Sequence, residues 1–236
     1  MATASVAAAY VNNDGGATVT SGSFDVVTDD LIVVVGNADT AGDTTDITWA
    51  ISDNQVPDLT YTLIAERDGT DGIESGVIAW YHKVAGNITG LTITIAVVGF
   101  TDSPAIKVYK ITGYDTTDIV GAQTEGDWTS SGQQTGNITA ETAGIGILVA
   151  TDWNQNGTPT SADTTETGFD TAGDISGMSG YRTLVAAASE NADMTPATGT
   201  PNGNYLWFEI RTAAGGATAW GPLIGLKNNR LVQEAH

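Results

Sequence analysis

The sequence predicts an all-β protein, built as an antiparallel two-sheet β-sandwich of jelly-roll type. About a dozen short apolar runs are separated by turn residues, and none of them has the periodicity of an amphipathic helix. The chain of 236 residues contains 29 glycines, which is above the average glycine content of about 7%. Many short strands joined by frequent turns are typical of sandwiches.

The most regular of these runs covers residues 88–100, ITGLTITIAVVGF. From Leu91 onwards its apolar side chains alternate with Thr, Ala and Val, which predicts a strand with one buried face. Residues 77–84 before it and 105–112 after it have a similar composition, and short turns separate the three runs. Together they predict an antiparallel meander.

Two other runs are apolar without interruption: LIVVVG at 31–36 and GIGILVAT at 144–151. Runs of this length suit strands that are buried on both faces. Elsewhere, short or alternating apolar segments between turn residues predict the remaining strands. These segments are residues 17–20, 23–28, 47–52, 59–65, 118–122, 137–140, 181–188, 205–212 and 217–220.

We predict one domain, because sandwiches of more than about 200 residues commonly form single units. Residues 17–226 form the sandwich, residues 1–16 an N-terminal arm or edge strand, and residues 227–236 a polar C-terminal tail. The segment SGSFDVVTDDLIVVV from Ser21 resembles SGQQTGNITAETAGIGILV from Ser131. Either the chain contains an internal repeat, or both halves of one sandwich need a turn, a strand and a buried strand in this order. We favour the second explanation.

The charge balance argues against several partners. The chain has 28 acidic and 8 basic residues, a net charge of −20, and no cysteine. Nucleic-acid binding normally requires a basic patch, and anionic membrane surfaces repel an acidic protein, so we predict neither partner. No run approaches the roughly 18 apolar residues of a membrane helix, and the N-terminus lacks the pattern of a signal peptide. Without cysteine there are no disulfides, thiolate metal sites or cysteine nucleophiles.

We predict that the protein is not an enzyme, because no catalytic motif occurs. The two histidines are His82, within a predicted strand, and His236, the last residue. Neither GxSxG nor HExxH is present. The 28 acidic residues leave room for a glycosidase pair, but most of them stand in turns, where Asp side chains bond their own backbone.

One segment fits a calcium loop. Asp152, Asn154, Asn156 and Gly157 match D-x-[DN]-x-[DN]-G, and Asp163 stands at the twelfth position. Oxygen ligands at alternate positions wrap one cation, and glycine permits the sharp turn. Against this interpretation, the loop follows a strand and Asp163 replaces the usual bidentate Glu. A turn rich in Asn, Asp and Gly is the alternative. No other cofactor is predicted.

Aromatic residues provide a second candidate site. In YLWFEIR, residues 205–211, alternation places Tyr205 and Trp207 on the face opposite to the predicted core. A Tyr–Trp pair on an outer sheet face can stack on a sugar ring or lie in a subunit interface. The alternative is that a second sheet covers this face.

The order of strand motifs resembles that of a known class of proteins. SGSF…LIVVVG, AWYHKV, TITIAVV, VYKITG and GILVA follow one another between Ser21 and Arg211. This order is similar to that of jelly-roll β-sandwich structural proteins of tailed-phage virions, and of bacterial surface proteins. The similarity lies in strand patterning, so it carries over no functional residue.

The resemblance implies a virion structural protein, either a capsid decoration or head-surface protein or a tail-associated one. Its implied partners are the major capsid protein or other virion proteins and further copies of the chain in a homo-oligomer. Its implied location is the capsid surface. The alternative is an extracellular or cell-surface carbohydrate-binding or adhesin module that uses Tyr205, Trp207 and calcium.

Overall fold

The computed structural model describes residues 1–13, 15–39, 47–68, 75–98, 103–128, 134–152, 160–161, 164, 169–170, 176–195 and 202–213. These residues form β-strands and no helix, and every strand pair is antiparallel. The all-β prediction is confirmed. The strands are β1 (Thr3–Asn12), β2 (Thr18–Thr20), β3 (Phe24–Val26), β4 (Leu31–Asp39), β5 (Thr48–Asp53), β6 (Thr62–Asp68), β7 (Ser75–Lys83), β8 (Ile88–Leu91), β9 (Ile93–Val98), β10 (Ala105–Thr112), β11 (Val120–Trp128), β12 (Gln134–Thr139), β13 (Ile145–Asp152), β14 (Phe169–Asp170), β15 (Ser176–Thr183), β16 (Ser189–Met194) and β17 (Gly203–Ile210).

The predicted two-sheet arrangement is wrong, because the described strands form more than two sheets. The predicted meander is also wrong: β7, β9 and β10 follow one another in the chain but do not pair with one another. Several predicted strand boundaries differ as well. The strand predicted at 181–188 is β15, which ends at Thr183, and its first residues, SGMSG, have too few apolar side chains to be detected. The strand predicted at 118–122 is the longer β11, whose polar residues suit its place at a sheet edge. The residues predicted as an arm or edge strand contain β1, which pairs with β10 at the edge of its sheet. The strand predicted at 217–220 and the tail at 227–236 lie outside the described residues.

The chain consists of two halves with the same sheet order, joined by a linker at residues 113–119. In the first half, residues 1–112, the large sheet has the order β1-β10-β4-β7-β6. In the second half, residues 120–212, it has the order β11-β17-β13-β15-β14. Each half also has a smaller layer, formed by β2-β9-β5 and β3-β8 in the first half and by β12-β16 in the second.

The strand pairing within each half is nested, with the first strand beside the last. β1 pairs with β10, β2 and β3 pair with β9 and β8, and β4 pairs with β7. The second half repeats this scheme with β11–β17, β12–β16 and β13–β15. Leu31 and Ile145 occupy equivalent positions in it. The structure thus contains an internal repeat of topology, and the sequence echo coincides with β3–β4 and β12–β13. The prediction of one domain stays a prediction, since the repeated halves share a core.

Three large apolar clusters among the described residues hold the layers together, beside a small fourth one formed by Ala38, Ile47 and Val97. One lies between the two large sheets, and one lies between each large sheet and its smaller layer. The unbroken runs LIVVVG and GIGILVAT form the central strands β4 and β13, which are buried on both faces as predicted. The core between the large sheets includes Leu31, Val33 and Val35 of β4, Ile145, Ile147 and Val149 of β13, and Leu206, Phe208 and Ile210 of β17.

The two large sheets pack face to face, more closely between β7 and β17 than between β10 and β15. β4 lies against β13 and β7 lies against β17, while Tyr109 of β10 contacts Ser179 and Tyr181 of β15. Because β10 is equivalent to β17 and β7 is equivalent to β15, the β7–β17 contact and the β10–β15 contact correspond to each other, as in the interface of a twofold dimer. Where β4 lies against β13, the Asn37 side-chain amide donates to the carbonyl oxygen of Ala150 at 2.6 Å.

The interface has two sides, which we call its flanks. β10 faces β15 on one flank and β7 faces β17 on the other, and the chemistry of the two flanks differs. On one flank the hydroxyl groups of Tyr109 and Ser179 are 2.6 Å apart and buried. The strand registers place Phe208 at the position equivalent to Tyr109, and Ala79 at the position equivalent to Ser179. The second flank therefore lacks both hydroxyl groups at these positions.

This difference predicts the outcome of a double-mutant cycle. Tyr109→Phe removes one hydroxyl of a buried pair and should lower the free energy of unfolding by about 1 kcal/mol. Adding Ser179→Ala should restore part of that loss, because the pair then matches Phe208 and Ala79 of the other flank, while the bond between Ser179 and Tyr10 is lost as well. Urea denaturation of the two single variants and the double variant measures the coupling. Additive losses would contradict the equivalence of the flanks.

Candidate functional site

The structure places the predicted aromatic site under a second sheet. Trp207 is fully buried in the cluster between the second large sheet and β12–β16. Its indole Nε1 donates to the carbonyl oxygen of Glu190 at 3.1 Å, and the Arg182 guanidinium lies 5.6 Å from its ring centre. A second sheet therefore covers Trp207, as the alternative interpretation of the sequence stated. The ring of Trp207 has no free face for a sugar. The alternation in the sequence identified the face but not what covers it.

Tyr205 is half-buried at the edge of the same face. Its ring packs beside Gly126 and Gly136, and burial followed by the charge of Asp127 raises the pKa of its hydroxyl. Without Trp207 beside it in solvent, Tyr205 does not form the predicted stacking pair.

The predicted calcium site cannot be placed. Asn154, Asn156 and Asp163 lie outside the described residues, and Asp152 is described only as the last backbone position of β13. The calcium prediction therefore stays a prediction. Within the described ranges, no three His, Asp or Glu side chains are grouped closely enough to hold a metal ion.

His82 makes contacts that stabilise the fold. Its Nδ1 lies 2.8 Å from the carbonyl oxygen of Thr60, and its ring is 5.7 Å from that of Tyr61. The Tyr61 hydroxyl in turn donates to Asp53 at 3.0 Å, and burial together with that carboxylate raises the tyrosine pKa. These contacts tie the loop before β6 to the strand β7. His236 lies outside the described residues.

A corner between the two halves contains a charged cluster. Arg67 of β6 makes a bidentate contact with Asp127 of β11, with distances of 2.8–3.0 Å, and Asn204 donates to the same carboxylate at 3.1 Å. A bidentate guanidinium–carboxylate pair is a strong and directional contact. It fixes the edge of the first large sheet against the edge of the second. Glu125 lies farther from Arg67, at 4.0 Å.

A cavity of about 260 Å³ opens beside this cluster. Ala65 of β6 forms one wall, Gln123 and Glu125 of β11 form the other, and Leu206 and Phe208 of β17 form the floor. The cavity is apolar at its base and acidic at its mouth. Sequence reasoning missed it, because its walls come from strands of different halves and no local motif links them.

Carboxylates at this corner repel one another. Burial, and then the charges of Asp68 and Glu125, raise the pKa of Glu66. Asp68 is held on the opposite side by the Ile47 amide and the Trp49 indole. Of these carboxylates, Asp127 and Glu125 contact the Arg67 guanidinium, and Glu66 and Asp68 contribute negative charge nearby.

Exposed apolar side chains are concentrated at one end of the molecule. We define the linker end as the end at which β4 and β13 begin and the linker joins β10 to β11. The turn before β4 carries Val27 and the turn after β15 carries Val185, and both turns lie at this end. The loop from β5 to β6 also turns there. The exposed fractions are 53% for Val27, 65% for Val185 and 99% for Val56 in the β5–β6 loop.

Comparisons with known proteins add no relative: no family model, curated protein or solved structure matches the chain. Among the residues that the structure describes, no helix is long and apolar enough to cross a membrane.

The burial of Trp207 predicts a loss of stability on truncation. Trp207→Ala removes a fully buried indole and should lower the free energy of unfolding by about 3–5 kcal/mol. Val185→Ala, at an exposed position, should change it by less than about 0.5 kcal/mol. Chemical denaturation of the two variants provides the comparison. A stable Trp207→Ala protein would show that the indole is not part of the core.

The raised pKa of Glu66 predicts a pH-dependent gain from Glu66→Gln. In the folded state its pKa lies above the unfolded value, so ionisation of Glu66 opposes folding at neutral pH. The variant should melt at a higher temperature than the parent at pH 7, and the difference should vanish below about pH 4, where the carboxyl is protonated in both states. Glu141→Gln, which removes a partner of Arg211, should give no gain. A lower melting temperature for Glu66→Gln at pH 7 would refute the repulsion.

Proposed function

We propose that the chain is a non-enzymatic structural protein of a virion, most simply a capsid decoration or head-surface protein that binds the capsid lattice. The observation that carries this proposal is the concentration of exposed apolar side chains at the linker end. The other supports are the nested topology of the two halves and the strong negative charge.

The nested pairing supports a jelly-roll assignment for each half. A jelly roll is a long antiparallel hairpin rolled into two sheets, so its first strand lies beside its last and its second beside its last but one. Both halves follow this order, with β1–β10 and β11–β17 as the outermost pairs. In the first half, β5 and β6 pair with β9 and β7 and not with each other. Viral capsid proteins and lectins often have this architecture.

The linker end supplies a contact surface. Val27, Val56 and Val185 project from three turns that belong to both halves. Covering such exposed apolar side chains with a partner surface removes them from water, which favours binding. Each contact is small, but repetition on a symmetric lattice multiplies weak contacts through avidity. The net charge of −20 keeps the remaining surface soluble and directed outwards.

The partners in this proposal are the major capsid protein, or another virion protein, and further copies of the chain in a homo-oligomer located on the capsid surface. The alternative, a carbohydrate-binding or adhesin module, depended on Trp207 as an open aromatic platform. Because that indole is fully buried, the virion proposal has the better support.

Density-gradient-purified phage particles from cells that produce the chain test the proposal. We expect many copies of the chain per particle, measured by quantitative mass spectrometry. Mild chaotrope should release them and a chelator should not, because apolar contacts hold them. Absence of the chain from purified particles would refute the proposed location.

A variant pair tests the linker end itself. Val56→Asp combined with Val185→Asp should lower the copy number on particles by at least about tenfold, which corresponds to roughly 1.4 kcal/mol. Thr48→Asp alters an exposed residue at the start of β5, at the opposite end of the molecule, and should leave the copy number unchanged. Equal loss in both variants would show that the linker end is not the contact surface. Circular dichroism confirms that each variant is folded.

A further inference from the structure

The two large sheets have four outer edges, and one of these edges differs from the rest. The edge strands are β1 and β6 in the first half and β11 and β14 in the second. β6 carries Glu66, Arg67 and Asp68, β11 carries Glu125 and Asp127, and β14 has only two residues. β1 has ten residues, TASVAAAYVN, without a charged side chain, a proline or a glycine. Charges, prolines and short length keep edge strands from pairing with another chain, and β1 lacks all three.

The part of β1 nearest the linker end has regular strand geometry. The pairing of β1 with β10 is irregular between Val6 and Ala8 and between Ala8 and Val11. Residues 3–6 precede both irregularities and keep a continuous register with residues 109–112. Among the described strands, β1 pairs only with β10, so no strand lies along its other side. The backbone groups of residues 3–6 on that side are therefore a template for a further strand.

The side chains of residues 3–6 divide between the two faces of the sheet. Ala4 and Val6 are half-buried and pack against the core between the large sheets. Thr3 and Ser5 alternate with them and are exposed. A strand beside β1 would cover the open side of Ala4 and Val6, which favours its binding.

The charges near this edge favour a neutral partner strand. β1 and β10 contain no Asp or Glu, and their only charged side chains are Lys107 and Lys110 of β10. Lys107 is buried, and Lys110 lies 3.9 Å from the Asp30 carboxylate. A strongly charged partner therefore finds no complement along β1. Two copies of the chain, each with a net charge of −20, approach at this edge without acidic side chains between them.

The sequence of β1 is complementary to itself. Two identical antiparallel strands are related by a twofold axis. With Ser5 on that axis, Ala4 of one copy lies opposite Val6 of the partner subunit, and Val6 lies opposite Ala4 of the partner subunit. Apolar side chains then meet on the core face, and the two Ser5 hydroxyl groups meet on the other face. A shift by one residue would turn the core face of the second sheet to the wrong side.

We propose that residues 3–6 of β1 pair with the same residues of a second copy of the chain, which joins two five-stranded sheets into one continuous sheet of ten strands. The pairing rests on the homo-oligomer of the proposed function and requires no capsid. One strand from each copy buries less than the roughly 1,000 Å² of stable interfaces. We therefore expect a weak dimer, with a Kd of about 10–100 µM.

A disulfide tests the pairing, because the chain contains no cysteine. Opposite residues of an antiparallel pair have Cα atoms about 4.5–5.5 Å apart, which lies within the range of about 4.4–6.8 Å that a disulfide spans. Ser5→Cys should form a covalent dimer under mild oxidation, measured by non-reducing gel electrophoresis and intact mass. Thr62→Cys, at an exposed position of the edge strand β6, should form at least about tenfold less. Equal yields from these two variants would overturn the proposal.

Sedimentation equilibrium of the purified full chain measures the association without a cross-link. The Kd should fall as the NaCl concentration rises, because salt screens the repulsion between the acidic copies. Ser5→Lys places two ammonium groups together at the axis and should raise the Kd at least about tenfold, whereas Thr62→Lys should leave it unchanged. Circular dichroism confirms that both variants are folded. A parent chain that stays monomeric at about 300 µM, or a Kd unaffected by Ser5→Lys, would overturn the β1 contact.

The same variants separate this dimer from capsid binding. The association is measured on purified protein without particles, and the copy number is measured on particles. A chain that is monomeric in solution and abundant on particles would overturn the β1 pairing and leave the capsid proposal standing. A chain that dimerises through Ser5→Cys and is absent from particles would refute the capsid location and support the β1 pairing.

Discussion

The apolar contact between the two large sheets is the interaction on which the rest of the structure depends. β4 and β13 bury side chains on both faces, so each large sheet needs a cover on both sides. The smaller layers cover the outer faces, and only the other half covers the inner face. Removing apolar surface from water contributes about 25 cal/mol per Å², which makes this shared core the main force that joins the halves. The β6–β11 corner and the cavity exist because the sheet edges are held at this spacing.

The polar groups within this core fix how the sheets meet. On one flank Lys107, Tyr109 and Ser179 form a buried hydrogen-bonded set, and on the other flank their equivalents are apolar. A buried ammonium without an acceptor is costly, so the sheets satisfy it only in the observed register. The asymmetry therefore converts a nonspecific apolar contact into one defined arrangement of the two sheets.

The sequence was a good guide to strands and a poor guide to their neighbours. Uninterrupted apolar runs correctly indicated β4 and β13, because burial on both faces leaves a continuous apolar signal. The alternation around Trp207 separated two faces of β17, but a sheet far away in the sequence decides which face meets solvent. β15 was partly missed because its glycines and serines are buried by close packing, not by apolar character. The cavity required the pairing of Ala65 with strands more than fifty residues later, which no local pattern encodes.

The nested pairing has a consequence for how the chain is synthesised and folds. Thr3 finds its partner Thr112 across 109 residues, so β1 stays without its neighbour until nearly the whole first half has been made. Closing such long loops slows folding, and inner pairs such as β6–β7 close first. The inner face of the first large sheet then waits for β13 and β17 to emerge from the ribosome. During that interval the nascent chain presents an uncovered apolar sheet, the state in which chaperones bind and aggregation begins.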